Sequence, residues 1–563
     1  MRLLDSRRLT GANLFLPRAG AVLDIALDES ERELLVAAWT RHARRLHQEL
    51  EWDEESLATR AFKGGVSLAM TAPVDGLYTA TEANEVAWEA ARDWMEGGQR
   101  HLLLRAARQL RDEFRDEERP RLQRLLAAAK ARNKPVLLDE DYLTLGTGAR
   151  SQTWDLYELP DPDDVNWRRL KAVPSVLITG TNGKTTTVRL LASIVRAYGK
   201  VVGVSSTDWL AMGDELLDRS DYAGPSGARA VLRDQRCELA ILETARGGML
   251  RRGLALERAD VALITNVSAD HLGEFGIETI DDLADVKWMV TRALDARGTL
   301  VLNAEDPLLM ARAKSSPAPL CLFSLSAKAP ELVAHIEAGG TGFSLRRGQL
   351  QRFKAGKQES FLAVKKMPLS FGGVARHNIA NALAAAAVAD ALGIDLALIA
   401  QGLLALSNDD NPGRGNIYQL AGVSILVDFA HNPAGLKALM PVAENLPAKR
   451  RLLVIGQAGD RTDDDIREFA EAASTMRFDR VLLKRMDGHS RGRAVGEVSD
   501  LLRDSFLAQG YPGKSIAQVK TELDATRAAL RWAKPGDLIV LLSHEQREKT
   551  RDFLESRANK EQA

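Results

Sequence analysis

Seven residues constrain this chain more than any other part of it: Gly180-Thr181-Asn182-Gly183-Lys184-Thr185-Thr186. A short apolar run, Ser175–Thr179, enters them, and an amphipathic stretch from about 185 to 198 leaves them. Strand, glycine turn and helix in that order predict a parallel α/β layer with the turn at its carboxyl edge. Only two residues separate Gly180 from Gly183, so this is a short G-x-x-G-K-T form of a phosphate loop. Glycines let the backbone approach phosphate oxygens, and amide hydrogens at the helix start point at the anion. Lys184 can reach the β- and γ-phosphates, and Thr185 or Thr186 can hold Mg²⁺. An ordinary glycine turn needs none of these side chains.

The same texture continues around the loop. Apolar runs at 201–204, 239–242, 261–265 and 299–302 end in polar loops, as strands of a helix-covered parallel sheet do. Residues 331–369 read as antiparallel, and helices follow at 378–392 and 396–406. After Asn411-Pro412-Gly413 a second α/β unit begins, with strands expected at 425–428, 451–455, 481–483 and 538–541. Ahead of the loop, residues 64–70 and 136–138 read as strands. Residues 82–133 read as helix broken at Pro120, and 159–167 as a linker. The last dozen residues are expected to fray.

At 563 residues the chain exceeds what one core supports. The reading is α/β and multidomain. An α+β domain spans 1–165, a doubly wound phosphate-loop domain 166–411, and a Rossmann-like domain 412–563. Lys+Arg 76 against Asp+Glu 77 gives a net charge of -1, which offers no global attraction for nucleic acid or membrane. A local basic pocket for an acidic substrate stays open. Two distant cysteines, no apolar run of about 20 residues and no leader pattern suit a cytoplasmic protein.

Chemistry-bearing residues fall at the ends of these elements. Glu243 and His271 follow predicted strands, where a carboxylate and an imidazole suit a cation bridging phosphate and carboxylate. Arg376-His377-Asn378 and Asn381 open a helix, where they serve a ligand or simply cap it. Arg414 sits at the break between the two α/β units, and a guanidinium suits phosphate oxygens.

The wording Thr179-Gly180-Thr181-Asn182-Gly183-Lys184-Thr185-Thr186-Thr187 resembles the Mur ligase family, which includes folylpolyglutamate synthetase and cyanophycin synthetase. Glu243-Thr244-Ala245-Arg246-Gly247-Gly248, Asn266 to Leu272, Pro412-Gly413-Arg414 and Asp428-Phe429-Ala430-His431-Asn432-Pro433 resemble its further motifs in order, with Phe429 where the family has Tyr. The resemblance implies that Thr185, Glu243 and His271 bind Mg²⁺ and that Lys287 is carbamylated beside a second ion. It implies that His377, Asn378 and Asn381 line the adenine site, and that Arg414 and Asp428 contact the nucleotide. His431 would sit near the reacting centre. Gly459-Asp460-Arg461 and the stretch 484–493, with Asp487, Arg491 and Arg493, would lie by the incoming amine. The acidic run that cyanophycin synthetase carries there is mostly replaced, which points to an amine other than arginine.

Leu9-Thr10-Gly11-Ala12-Asn13 and Leu143-Thr144-Leu145-Gly146-Thr147-Gly148 resemble the N-terminal domain of that same branch. There an ATP-grasp domain follows, whereas here about 25 residues separate Gly148 from Pro174. The resemblance therefore implies a ligase using ATP and Mg²⁺ to activate a carboxylate as an acyl phosphate and join it to an amine. The expected acceptor is an acidic peptide or polymer made elsewhere, held by the N-terminal domain. Three alternatives are a phosphate-loop kinase or hydrolase, a degenerate nucleotide-binding partner of a separate ATP-grasp enzyme, and a folylpolyglutamate-type ligase. A homo-oligomer stays open.

Overall fold

The computed structural model describes residues 1–52, 55–98 and 101–562. Its largest element is an eleven-stranded sheet. In space the strands run Glu215–Asp218, Leu210–Met212, Val202–Ser205, Leu239–Glu243, Ser175–Thr179, Val261–Ile264, Thr299–Asn303, Leu320–Ser324, Thr341–Arg346, Gln349–Lys354, Lys357–Ala363. The middle of the sheet is parallel and both ends are antiparallel. Ser175–Thr179 and Leu239–Glu243 are buried throughout, because helices cover both faces. Lys184–Ala197, Arg376–Ala391 and Leu396–Ala405 pack on one face. Pro225–Arg233, Arg246–Arg252 and Ile280–Trp288 pack on the other.

Small residues let the first group approach closely. Ala384 to Ala387 are fully buried, and a Cβ on Gly402 would lie 2.4 Å from the Ile194 Cα. Ser193 Oγ donates to the Gly402 carbonyl at 2.8 Å across that crossing. These contacts hold the helix that begins at Lys184, and so the loop in front of it.

A six-stranded sheet follows, ordered Arg414–Leu420, Val423–Asp428, Leu538–Leu542, Arg451–Ile455, Arg480–Lys484, Ile516–Val519. Only its opening hairpin is antiparallel. The loops starting at Phe429, Gly456, Arg485 and Ser543 therefore leave one edge, the carboxyl edge where open α/β sheets bind ligands. The C-terminal residues, expected to fray, instead form the helix Arg547–Gln562. Leu554 there is fully buried beside Leu420, which holds the end in place.

The first part of the chain holds two sheets. Arg2–Leu9, Gly20–Ala26, Gly65–Thr71 and Leu57–Phe62 form one, covered by Glu29–Glu49 and Leu77–Met95 around Trp39 and Trp88. Val136–Leu138, Tyr142–Leu145 and Gln152–Asp155 form another. The helical stretch is three helices; residues 99 and 100 within it lie outside the described residues. Pro120 opens the third of them instead of breaking one, since a first-turn position needs no amide hydrogen. The segment read as a linker is anchored, because Leu159 and Val165 are buried against Leu122 and Leu125.

The first sheet docks on the helix Arg246–Arg252. Thr10 N donates to Arg252 O and Leu254 N to Ala12 O, both at 2.8 Å. Gly11 is required there, because a Cβ would meet the Leu254 carbonyl at 2.1 Å. Among the described residues no helix is long and apolar enough to cross a membrane.

Candidate active site

Gly180 and Gly183 take φ of 146° and 85°, and neither has room for a Cβ. It would lie 1.9 Å from Thr265 Oγ1 at Gly180 and 2.2 Å from Asn381 Oδ1 at Gly183. The loop is thus clamped between the strand end at Thr265 and the helix start carrying Asn381. Asn266 reinforces this, accepting from Thr181 N at its carbonyl (2.9 Å) and from Asn182 N at its side chain (3.0 Å). Lys184 Nζ donates back to Gly180 O (2.9 Å) and Thr181 O (3.0 Å). Burial pushes this ammonium's pKa down, opposed by the charges of Glu243 and Asp270.

Two groups of possible cation ligands face the loop. In the first, Glu243 is buried and its Oε1 accepts from Thr185 Oγ1 (3.2 Å) and Thr207 Oγ1 (2.6 Å). Carboxylate and hydroxyl oxygens are the hard donors that Mg²⁺ takes. Thr207 was not singled out in the sequence; its signal is the Ser205-Ser206-Thr207 run at a strand end. In the second, ligand atoms of Asp270, His271 and His431 all lie within 4.8 Å of one another.

His271 stands apart from the Thr185–Glu243 pair in its contacts. It takes a φ of 50°, turning its ring toward the six-stranded sheet. Arg461 approaches Nε2 at 3.1 Å and Asp460 approaches Nδ1 at 3.0 Å. Arginine can only donate, so Nε2 accepts and the ring proton sits on Nδ1, donated to Asp460. This bond, against burial, brings the Asp460 carboxyl down to about 2. Asp270 pairs with Arg461 at 2.8 Å and lies 3.5 Å from His431 Nε2. Burial opposes its ionisation, but His431, Arg461 and His271 together hold its pKa well below the usual range.

Lys287 is buried in the helix Ile280–Trp288; burial first, then the charge of Lys184, pushes its pKa well down. Asn378 donates to Leu369 O (2.9 Å) and accepts from Asn381 (3.3 Å), while burial lowers His377 to about 4. Arg414 lies 4.4 Å from the centre of the Phe429 ring. Burial raises the neighbouring Asp428 carboxyl to about 6, with Arg414 opposing.

The remaining C-terminal positions divide. Asp460 and Arg461 join the His271 cluster. Arg493 braces their turn, donating to Arg461 O (2.6 Å) and Gly459 O (3.1 Å). Asp487 is exposed and pairs with Arg485 at 3.0 Å, and Arg491 is exposed. Lys484 is fully buried against Glu522, so its charge is spent inside the sheet. A carboxylate from another loop, Glu545, accepts from Gly488 N (3.1 Å) and lies 3.3 Å from His489 Nδ1. Gly488 leaves it that space, since a Cβ would sit 2.5 Å from Glu545 Oε1. One carboxylate thus stands beside the stretch that lacks the acidic run, already engaged by Gly488 and His489. One further contact went unforeseen. Asn182 of the phosphate loop and Asn432 exchange amide hydrogen bonds at 3.2 and 3.1 Å.

Together these features define a phosphate-loop α/β unit closed by a second α/β unit, whose loops reach the phosphate-binding edge. Residues 178–389 match the sequence model of the Mur ligase middle domain, and 413–544 that of the Mur ligase glutamate ligase domain. Over this span the chain belongs to the Mur ligase family. It is 39% identical to cyanophycin synthetase from Geminocystis herdmanii over 371 residues, 66% of this chain and 42% of that protein. It thus spans about two fifths of the length of the cyanophycin synthetases it matches. It is 26% identical to UDP-N-acetylmuramoyl-L-alanyl-D-glutamate–2,6-diaminopimelate ligase from Geobacter metallireducens over 394 residues, 66% of this chain and 73% of that one. Escherichia coli FolC, solved with DHPP and ADP, shares the fold at TM-score 0.51 and 19% identity over 68% of this chain and 89% of its own. Mycobacterium tuberculosis folylpolyglutamate synthase, solved with ADP and AMPPCP, gives the same score and identity over 68% and 91%.

Proposed function

We propose that this chain is an ATP-dependent carboxylate–amine ligase built from units at 1–165, 166–411 and 412–563. The observation that carries this reading is the meeting of two loop sets across the break at Asn411. Asn182 pairs with Asn432, and Asp270 and His271 pair with Asp460 and Arg461. A reactive acyl phosphate needs a site that closes over it and excludes water, and only a two-sided site does so.

In this reading, Gly180 to Thr186 and Lys184 hold the ATP phosphates, with Asp428, His377, Asn378 and Asn381 toward the nucleoside. Relatives of the fold solved with ADP support the nucleotide. Thr185, Thr207 and Glu243 fit Mg²⁺, with His271 and His431 next in line, and the ion would supply charge compensation between phosphate and carboxylate. Lys184 and Arg414 stabilise charge on the transferring phosphoryl group as the substrate carboxylate displaces ADP. An amine then attacks the acyl carbon beside His431, Asp460 and Arg461, losing a proton as phosphate leaves. The depressed pKa of Lys287 favours the neutral amine that carbamylation requires.

The acceptor we propose is an acidic peptide or polymer. A cleft of about 2510 Å³ runs between the N-terminal sheets and the helix Arg246–Arg252, larger than the roughly 300–1,000 Å³ of small-molecule sites. Arg119, Lys130, Arg251 and Arg252 line it among carboxylates in near-equal number, Glu82 and Glu117 included. The acidic acceptor therefore rests on the resemblance and the size of the cleft and not on its net charge. From Gly148 the chain reaches Ser175 through two short turns and the strand Gln152–Asp155, with no ATP-grasp unit between them, so backbone extension is assigned to a separate enzyme. Two free, buried cysteines suit the cytoplasm.

ADP release is the test, with acidic peptides and folates as acceptors and amino acids and polyamines as amines. Amine-dependent ADP formation with a matching product mass is expected. ADP formation that ignores the amine would make the chain a hydrolase or kinase, and none with any pair would favour a nucleotide-binding partner.

A further inference from the structure

Six residues close a ring of contacts around the break between the two α/β units. Asp208, just past the strand Val202–Ser205, is nearly buried. Its Oδ2 accepts from Arg189 of the phosphate-loop helix at 2.5 Å, and its Oδ1 from Arg547 at 2.7 Å. Arg547 opens the last helix, which packs on the strand Arg414–Leu420. Arg189 also donates to Asn411 at 2.6 Å, and Asn411, fully buried, donates to the Arg414 carbonyl at 3.3 Å. The guanidinium groups of Arg414 and Arg547 both rest on Phe429, at 4.4 and 4.9 Å from its centre. The circuit runs Asp208, Arg547, Phe429, Arg414, Asn411, Arg189 and back to Asp208.

Two members belong to the middle domain, one to the break, and three to the strands and helix beyond it. A buried carboxylate between two arginines is a costly arrangement to leave half made, since losing one partner exposes an uncompensated charge. Asp208 also faces Arg414, whose charge helps hold its carboxyl below the usual range against burial. No residue of the ring except Arg414 was assigned a role above.

Resting on the ligase reading, we infer that this ring is an interdomain clamp. Asp208 and Arg547 are its positioning residues. They meet only when the two units are closed, and closing them seats Arg414 through Phe429 and Asn411 in one step. Domain closure and delivery of the phosphate-binding arginine are thereby a single event.

The experiment reads closure and turnover separately. Cys237 and Cys321 are buried, so dyes attached to Lys365→Cys and Lys514→Cys, both exposed, report the distance between the units by energy transfer. Asp208→Asn, Arg547→Gln and the double variant are compared with the parent, with and without ADP and Mg²⁺. Each single variant should shift the population toward longer distances and lower kcat at least tenfold, with KM for ATP changed less than threefold. The double variant should match the worse single one, as members of one contact do. Additive losses, or a parental distance distribution in Arg547→Gln, would overturn the clamp. Arg547 is 39% exposed, so that variant folds even where Asp208→Asn does not. Should the parent show no amine-dependent turnover, the ligase reading fails, while the distance measurement still judges the clamp.

Discussion

Lys184 illustrates how one side chain carries chemistry through its surroundings. Its ammonium bonds to two loop carbonyls, half-buried in the field of Glu243. Lys184→Ala should lower kcat about a thousandfold, roughly 4 kcal/mol at the transition state, with an unchanged melting temperature. Steady-state turnover of the purified variant checks this. Glu243 and its two hydroxyl donors make a second point. Glu243→Gln and Thr207→Val should each raise the Mg²⁺ concentration for half-maximal rate, as should His271→Ala if its lone pair turns from Arg461 to the ion. Overlaid magnesium titrations would leave these residues structural. Asp428 yields a pH effect. Its folded pKa of about 6 exceeds the ordinary 3.8, so folding favours the protonated acid. Stability from this group is full below about pH 4 and is lost as pH rises through 6, by up to roughly 3 kcal/mol. Asp428→Asn, which cannot ionise, should gain on the parent between pH 4 and 8 in denaturant melts, while binding nucleotide more weakly.

At the level of elements, the helix starting at Lys184 is placed by its neighbours as much as by its own sequence. Gly402 lets Leu396–Ala405 cross it with backbone almost touching backbone. Gly402→Ala gains helix propensity of about 1 kcal/mol. It also forces a Cβ against Ile194, and overpacking of this kind costs about 1–3 kcal/mol. With a 2.4 Å approach to backbone the second effect wins, so thermal unfolding should show a lower melting temperature. Most of the parallel strands were legible because they are short apolar runs buried on both faces; Leu320–Ser324 and the partly exposed edge strand Ile516–Val519 were not picked out. The first strand was not legible, because half of Arg2–Leu9 is charged and it is held as a strand by pairing with Gly20–Ala26. The C-terminal helix was hidden for a similar reason, its charged sequence being held by Phe553 and Leu554 at one face.

Over the whole molecule, the first N-terminal sheet reaches the loop beyond Val261–Ile264 through Arg60, and the second docks at the amino ends of the parallel strands through Ala149 and Cys237. A cleft lies between them and the middle domain. Lys130→Glu and Arg251→Glu reverse exposed charges on its two sides. Each should raise KM for a polymeric acidic acceptor several-fold, less so at high salt, and leave small acceptors unaffected. Equal effects on both acceptor sizes would detach the cleft from substrate binding. What the sequence by itself determined is local: the strand–loop–helix around Lys184, the carboxylates and imidazoles at strand ends, and the break at Asn411. Each follows from neighbours a few residues apart, where backbone geometry and side-chain chemistry are set. Only the tertiary structure decided that His271 meets Asp460, 189 positions away, or that Asp208 meets Arg547 at a separation of 339. Such contacts depend on how two packed sheets lie across a hinge, and no periodicity along the chain encodes that distance.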